Sequence, residues 1–401
     1  MGASGDGRAR LPDGTICHIP FTLPGERVLV RQETRDRATL LDILQPSPER
    51  VVPPCPHFRQ CGGCALQHWA PAPLADWKAG RVAASLSRAG FTLAPPRLAT
   101  SPPATRRRMD LALRRQPGGV VLGLHAPRSE QVLPISECHV LHPTLRALLE
   151  PLAGLLAGVQ GLRRSGSLLL NLLDTGPDLL LSHDAALTPP DRQRLARFAE
   201  THRIPRIAVR HAGVTETACQ LAPVGIAFAG VTVRPPPGAF LQATAPGEAA
   251  IVAAVLDGLA DLRGKPRIAE LFAGCGTLSL PMAARARVTA WEGEAEVASA
   301  LAGASPRVSV QRRDLGRQPL SAAELARADA VVLDPPYGGA AAQMPALATA
   351  RKPTVYVSCN PAALARDATA LAGAGFTATA LGAIDQFLWS PHVETVIRFT
   401  P

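Results

Sequence analysis

Glu270-Leu271-Phe272-Ala273-Gly274-Cys275-Gly276-Thr277 is the stretch from which the fold can be read. An apolar run over 267–272 ends at two glycines one residue apart, and a helical pattern follows Thr277. Strand, Gly-x-Gly turn and helix in that order let backbone approach a ligand held at a helix N-terminus. A dinucleotide fingerprint wants a third glycine near position 279, where Ser279 stands. The shorter turn, with Gly274 and Gly276, suits a cofactor lacking a pyrophosphate, such as S-adenosylmethionine. Outward from the turn, a helix is expected over 247–259 and further strands over 287–291, 308–311, 330–333 and 354–358. Strands alternating with helices predict an α/β unit with a doubly wound parallel sheet. Glu292 closes the second strand and is placed to accept hydrogen bonds from ribose hydroxyls, while Asp314 follows the third and faces the adenine.

Two motifs fall at the carboxyl edge of that sheet, where open α/β folds bind their ligands. Asp334-Pro335-Pro336-Tyr337 follows the fourth strand and Ser358-Cys359-Asn360-Pro361 the fifth. A thiolate beside a methyl donor has a specific use. Carbon 5 of a pyrimidine is a poor nucleophile until a thiolate adds at carbon 6; the resulting enolate-like ring can attack a methyl group. The adduct must then lose its carbon-5 proton to a base, and Glu394 in His392-Val393-Glu394 offers one. Taken singly, Cys359 reads as a core thiol and Glu394 as a surface carboxylate; together with the glycine turn they read as chemistry. Asp-Pro-Pro-Tyr also suits methyl transfer to exocyclic amines of flipped bases, but that chemistry leaves Cys359 and Glu394 without a task. A non-catalytic RNA-binding or electron-transfer protein is the third class.

The rest of the 401 residues divides at changes of pattern. Residues 1–52 read as short strands at 15–21, 26–32 and 38–44, separated by Pro-Asp-Gly and Pro-Gly turns, for which a small barrel is the natural closure. Residues 53–235 mix strands with helices near 76–88, 145–159 and 191–202, and Pro235-Pro236-Pro237-Gly238 opens the segment 236–401. The formal charge is +10, with 42 Lys+Arg against 32 Asp+Glu. Both flanking segments are neutral, so the surplus lies in 53–235, concentrated at Arg106-Arg107-Arg108, Arg114-Arg115 and Arg163-Arg164. Such a cluster is what phosphate neutralisation requires, and a solvated face is its plainer explanation. No apolar run approaches the roughly 18 residues of a membrane span, and the N-terminus lacks the apolar core of a secretory signal. A cytoplasmic protein is expected, monomeric and without an obligate protein partner.

Cys55, Cys61 and Cys64 form C-x5-C-x2-C, and Cys138 follows in Glu137-Cys138-His139. In a cytoplasmic protein this spacing favours a metal centre over disulfides, either zinc or an iron–sulfur cluster. Cys17, Cys219 and Cys275 have no partners in sequence and read as ordinary thiols.

These motifs resemble the RNA uracil-C5 methyltransferase family, and specifically its iron–sulfur branch that modifies 23S rRNA. The resemblance covers almost the whole chain. It implies a Rossmann-like class I methyltransferase domain over 236–401, an OB-like TRAM β-barrel that binds RNA over 1–52, and a central α+β domain over 53–235. In that central domain Cys55, Cys61, Cys64 and Cys138 would ligate a [4Fe-4S] cluster. Phe240-Leu241-Gln242 is similar to the family's Phe-x-Gln motif, which assigns Gln242 to the pocket of donor and target base. The same resemblance gives Phe272, Thr277, Glu292 and Asp334 contacts with S-adenosylmethionine or the reacting centre, Cys359 the nucleophile's role and Glu394 that of the base. Thr244, Thr277 and Tyr337 depart from the family's usual Asn, Asn and Arg.

Overall fold

A computed structural model describes residues 1–401. The N-terminal segment is a four-stranded sheet, β1 (Gly7–Arg10), β2 (Ile16–Ile19), β3 (Arg27–Thr34) and β4 (Arg37–Gln45), in the order β1-β2-β4-β3. Next come helix α1 (Pro71–Arg88) and the short strand β5 (Leu98–Thr100). The middle sheet is built from β6 (Arg108–Gln116), β7 (Gly119–His125), β8 (Val132–Pro134), β9 (Ser165–Leu173), β10 (Gly176–Ser182), β11 (Arg206–His211) and β12 (Val214–Gln220). Its order is β12-β11-β10-β9-β6-β7-β8, with every pair antiparallel except β10 and β11. Helices α2 (Pro143–Arg146), α3 (Leu149–Ala157) and α4 (Pro189–His202) bury Leu145, Leu152, Leu156 and Leu195 against its Leu111, Leu113, Leu168 and Leu170.

A small hairpin, β13 (Ile226–Phe228) and β14 (Val231–Val233), leads to the C-terminal sheet. Gly238, in the break that the sequence marks, has φ +76, and a Cβ there would lie 2.5 Å from Leu180. Only glycine lets the chain cross the middle sheet so closely before it enters Phe240-Leu241-Gln242.

The C-terminal unit runs through α5 (Ala245–Asp257), β15 (Arg267–Leu271), α6 (Ser279–Met282), β16 (Arg287–Glu292), α7 (Ala295–Ala304), β17 (Val308–Arg312), α8 (Ala322–Leu325), β18 (Ala330–Leu333), α9 (Met344–Ala350), β19 (Thr354–Ser358) and α10 (Pro361–Gly373). It ends in β20 (Thr377–Asp385) and β21 (Glu394–Thr400). Strand order is β17-β16-β15-β18-β19-β21-β20-β5, parallel from β17 to β19. The order reverses between β15 and β18, so the ligand crevice opens there. Side chains alternate across the sheet: Ile268, Val332 and Val355 face one core with Ile251 and Val255 of α5. Ala269, Val331 and Tyr356 face the other with Leu364 and Leu371 of α10. That two-sided burial is why these strands read as nearly continuous apolar runs.

The boundary expected at 53–235 shifts in the structure. Val82 and Leu86 of α1 and Phe91 belong to the core beneath the C-terminal sheet, β5 pairs with β20 as its eighth strand, and Lys78 is fully buried against Asp385 at 2.6 Å. Residues 71–100 are therefore part of the C-terminal unit. Pairing with a strand nearly 300 residues later leaves no local signal.

The arginine surplus is also partly spent inside. Arg107 is buried, pairs with Glu248 and donates to the Gln242 carbonyl at 3.2 Å. Arg115 donates to the carbonyls of Ala157, Val159 and Leu162, and Arg108 stacks over Phe240 with its guanidinium 5.3 Å from the ring centroid. Arg163 and Arg164 are exposed. The expectation that Arg106 to Arg108 form a phosphate-facing patch is corrected, because Arg107 ties the middle sheet to the segment carrying Gln242, while the Arg106 side chain donates to the Arg108 carbonyl and lines the cysteine cavity.

Candidate active site

The glycine turn follows β15 as the sequence predicts, and its conformation explains its composition. Phe272, Gly274 and Gly276 all have positive φ, at 62°, 57° and 101°. A Cβ on Gly276 would lie 2.5 Å from a Leu301 methyl, whereas Gly274 opens onto space. Glu292 at the end of β16 grips the turn: its carboxylate accepts from the Gly274 amide and the Glu294 amide, each at 2.8 Å. Glu270 and Ser279 carry no sequence signal for this role, yet the fully buried Ser279 hydroxyl donates to Glu270 beneath the turn. Burial pushes the Glu270 carboxyl up to about 8. Ser279 thus occupies the place of a third glycine and fastens the turn to its strand. Thr277 lines a groove of about 880 Å³ with Ala249 and Val252 of α5 and Pro281 and Met282 of α6. Asp314 is exposed after β17 and accepts from the amides of Gly316 and Arg317.

Gln242, Asp334, Cys359 and Glu394, far apart in sequence, meet at the carboxyl edge. Strand β21 runs antiparallel between β19 and β20, so its first residues lie where the last residues of its neighbours end. The register pairs Ser358 with Thr395 and Ile384 with Glu394, which sets Glu394 beside Cys359. A chain of amides crosses the site. Gln242 Nε2 donates to Asp334 Oδ2 at 3.1 Å, and Gln386 Nε2 donates both to Gln242 Oε1 at 2.7 Å and to Glu394 Oε1 at 3.1 Å. Gln386 has no counterpart among the residues the sequence singles out.

Charge in this cluster is unfavourable before substrate arrives. Burial, followed by the Asp334 charge, raises the Glu394 carboxyl, while the Gln386 amide holds it down. Burial likewise raises Asp334 against the lowering effect of Gln242. The Cys359 thiol is pushed up to about 12, first by burial and then by Glu394 and Asp334. Cys359 is therefore held as a thiol.

The loops around the thiol are tied together. Asn360 caps α10 by accepting from the amides of Ala362 and Ala363, and its side chain donates to the Tyr337 carbonyl at 3.0 Å. This joins the loop after β18 to the loop after β19. The Tyr337 ring is 59% exposed and meets His392 edge-on at 6.0 Å. The segment 385–392 is held from outside by residues 65–81: Ala65 and Leu66 amides donate to the Trp389 carbonyl at 2.9 Å, Lys78 donates to Phe387, and Arg81 donates to Pro391.

That grip begins next to the cysteines. Cys55, Cys61, Cys64 and Cys138 line one cavity of about 280 Å³, with Gly63 and Arg106 in its wall. No three His, Cys, Asp or Glu side chains are close enough to hold a single metal ion. The Gly63 amide points at Cys61 Sγ at 3.3 Å, and a Cβ on Gly62 would lie 2.7 Å from the His125 carbonyl. Burial raises the Cys64 thiol to about 12, with further raising by Cys138, Cys61 and Cys55. Four thiols facing one cavity are a donor set that a cationic centre would take as thiolates.

A sheet of this order, with a Gly-x-Gly turn after its first strand and an acidic residue closing its second, is the α/β frame of a nucleoside-cofactor site, and the relatives make it that of an S-adenosylmethionine-dependent methyltransferase. A family model described as tRNA (Uracil-5-)-methyltransferase matches residues 312–400. An uncharacterized RNA methyltransferase of Brucella suis is 40% identical over 411 residues, spanning 100% of this chain and 96% of its own. The 23S rRNA (uracil(1939)-C(5))-methyltransferase RlmD of Chromohalobacter salexigens is 36% identical over 418 residues, spanning 99% and 87%. The crystal structure of Pyrococcus abyssi tRNA (uracil-54, C5)-methyltransferase in complex with S-adenosyl-L-homocysteine matches 98% of this chain and 100% of its own at TM-score 0.71 and 20% identity, a likeness of fold. The chain belongs to the RNA uracil-C5 methyltransferase family.

Proposed function

We propose that the enzyme methylates carbon 5 of a uridine in 23S rRNA, with Cys359 as nucleophile and Glu394 as base. The meeting of Cys359, Glu394, Asp334 and Gln242 at the carboxyl edge carries this reading. Cys359 gives its proton to solvent water and its thiolate Sγ bonds to carbon 6 of the uracil, the carbon 5–carbon 6 π pair moving onto carbon 5 and the adjoining carbonyl oxygen. When bound, S-adenosylmethionine would supply the methyl group for carbon 5, carried on a sulfonium that would leave as a neutral thioether. Glu394 then accepts the carbon-5 proton, the carbon 6–sulfur bond breaks, and Cys359 is restored. Gly274, Gly276, Phe272 and Glu292 form the cofactor side of the crevice, with Thr277 and Asp314 at its periphery, and Gln242 and Asp334 orient donor and base.

A uracil in a helical stem is out of reach of a thiol set behind these loops, so the target must be unpaired or extruded. The exposed rings of Tyr337 and Phe240 offer stacking faces beside the site. The N-terminal sheet, read as a TRAM-like module, supplies a second RNA contact, and the work on RNA places the enzyme in the cytoplasm. No helix is long and apolar enough to cross a membrane. The substrate assignment rests on the name of RlmD relatives such as that of Chromohalobacter salexigens. Mass-spectrometric mapping of 5-methyluridine in a deletion strain is expected to show one 23S rRNA position losing its methyl group while tRNA keeps its own. Loss in tRNA alone would reassign the substrate.

The same reading puts a [4Fe-4S] cluster on Cys55, Cys61, Cys64 and Cys138. The support for this is that the four cysteines line one shared cavity, which a cluster ligated by all four would need. Such a group would supply structural cross-linking, since methyl transfer to an activated pyrimidine consumes no electron. Protein purified without oxygen should be brown and contain iron and sulfide, and Cys64→Ser should be colourless. A colourless wild type with one zinc would overturn the cluster.

A further inference from the structure

We infer that Gln386 is a positioning residue for the methylation reaction, orienting Glu394 and keeping it able to accept the carbon-5 proton; this rests on Glu394 being the base. The side chain is buried at 3% exposure in the turn after β20, and its one amide nitrogen serves two acceptors, Gln242 Oε1 at 2.7 Å and Glu394 Oε1 at 3.1 Å. Turning the amide over would set its carbonyl against both oxygens. The orientation is therefore fixed by its partners, and it in turn fixes Gln242, whose own nitrogen is left to face Asp334.

The consequence for Glu394 is directional. One carboxylate oxygen is held by Gln386, while the other, Oε2, is buried and has no partner. That free oxygen is the one available to a proton from substrate. The groups facing Glu394 from the neighbouring elements are Asp334 after β18 and Cys359 after β19; on β20, Asp385 is already paired with Lys78. None of these is a free cation, and the Asp334 charge disfavours a carboxylate at Glu394. The Gln386 amide is the donor that favours the charged form. Gln386 is itself anchored: Asp385 accepts from Lys78 and from the Phe387 amide, and a Cβ on Gly247 would lie 2.8 Å from Gln386 Cβ, so the first turn of α5 closes over it.

The test uses Gln386→Met, which keeps length and apolar volume but removes the donor, and Gln386→Asn, which keeps an amide but withdraws it. Methyl transfer to an RNA substrate is followed from pH 6 to 9 alongside denaturing gels for covalent enzyme–RNA complex. Without the donor the Glu394 carboxyl rises, so activity needs higher pH. The expected result for both variants is a fall in kcat of about 10- to 100-fold at neutral pH, with the acidic limb of the profile displaced to higher pH. KM for S-adenosylmethionine should be little changed, and adduct should accumulate on natural uridine. A lower kcat with an unmoved profile and no adduct would reduce Gln386 to packing and overturn the inference. Glu394→Gln is run in parallel. If it accumulates adduct while the Gln386 variants do not, only the Gln386 inference fails. If Glu394→Gln accumulates none, the base assignment fails and takes the inference with it.

Discussion

Cys359→Ala is expected to lose methyl transfer by on the order of 10⁴-fold or more, because no other group at the carboxyl edge can make carbon 5 nucleophilic. Wild type should form a covalent complex with 5-fluorouridine RNA that survives denaturation, since fluorine cannot leave as a proton does, and the Ala variant should form none. Binding of S-adenosylmethionine by calorimetry should be unchanged, as the glycine turn and Glu292 lie on other strands. Methyl transfer persisting in the variant would sink the thiol mechanism. The raised Cys359 thiol adds a second reading on the same protein. Iodoacetamide should modify it more slowly than free cysteine at neutral pH. Glu394→Gln, which removes one of the two carboxylates opposing the thiolate, should speed that modification.

Lys78→Met should be the most damaging change outside the site. Lys78 on α1 is fully buried, bonded to Asp385 at 2.6 Å and to the Phe387 carbonyl at 3.2 Å. Removing it leaves the Asp385 carboxylate buried with only the Phe387 amide as partner. Breaking a buried pair from one side typically costs about 3–5 kcal/mol. A loss of that size is expected in chemical unfolding, together with reduced methyl transfer as the segment bearing Gln386 loosens. Lys78→Met combined with Asp385→Asn should recover part of the stability, because the uncompensated charge is then gone. A single variant within about 1 kcal/mol of wild type would show that the pair does not hold α1 to the sheet.

Both predictions draw on parts of the structure that differ in how openly the sequence displays them. The glycine turn, the strands over 330–333 and 354–358 and the Ser-Cys-Asn-Pro motif are local, and each lies where periodicity and motif order put it. The two final strands escaped that reading. Thr377–Asp385 alternates small residues and carries a bulge between Ala380 and Gly382, a weak pattern, and without these strands Glu394 could be named but not placed. Gln386 was invisible for a different reason. An amide between two acceptors gains meaning only from its neighbours, and those come from residues 242 and 394. Ser279 was legible only as a missing glycine until its hydroxyl was found on Glu270.

By itself the sequence determined an α/β methyltransferase unit, the turn at Gly274 and Gly276, a thiol and a carboxylate suited to pyrimidine chemistry, and four cysteines with the spacing of a metal centre. Those features depend on short-range order, which side-chain periodicity and turn chemistry encode directly. Tertiary structure alone decided that β21 enters antiparallel beside β19 and so brings Glu394 to Cys359. It also decided that α1 packs on the catalytic sheet and β5 joins it, and that Arg107 is buried on Glu248 and the Gln242 carbonyl rather than facing a phosphate backbone. Strand register and buried pairing join residues far apart in the chain, and what they gain depends on the water excluded when those residues meet.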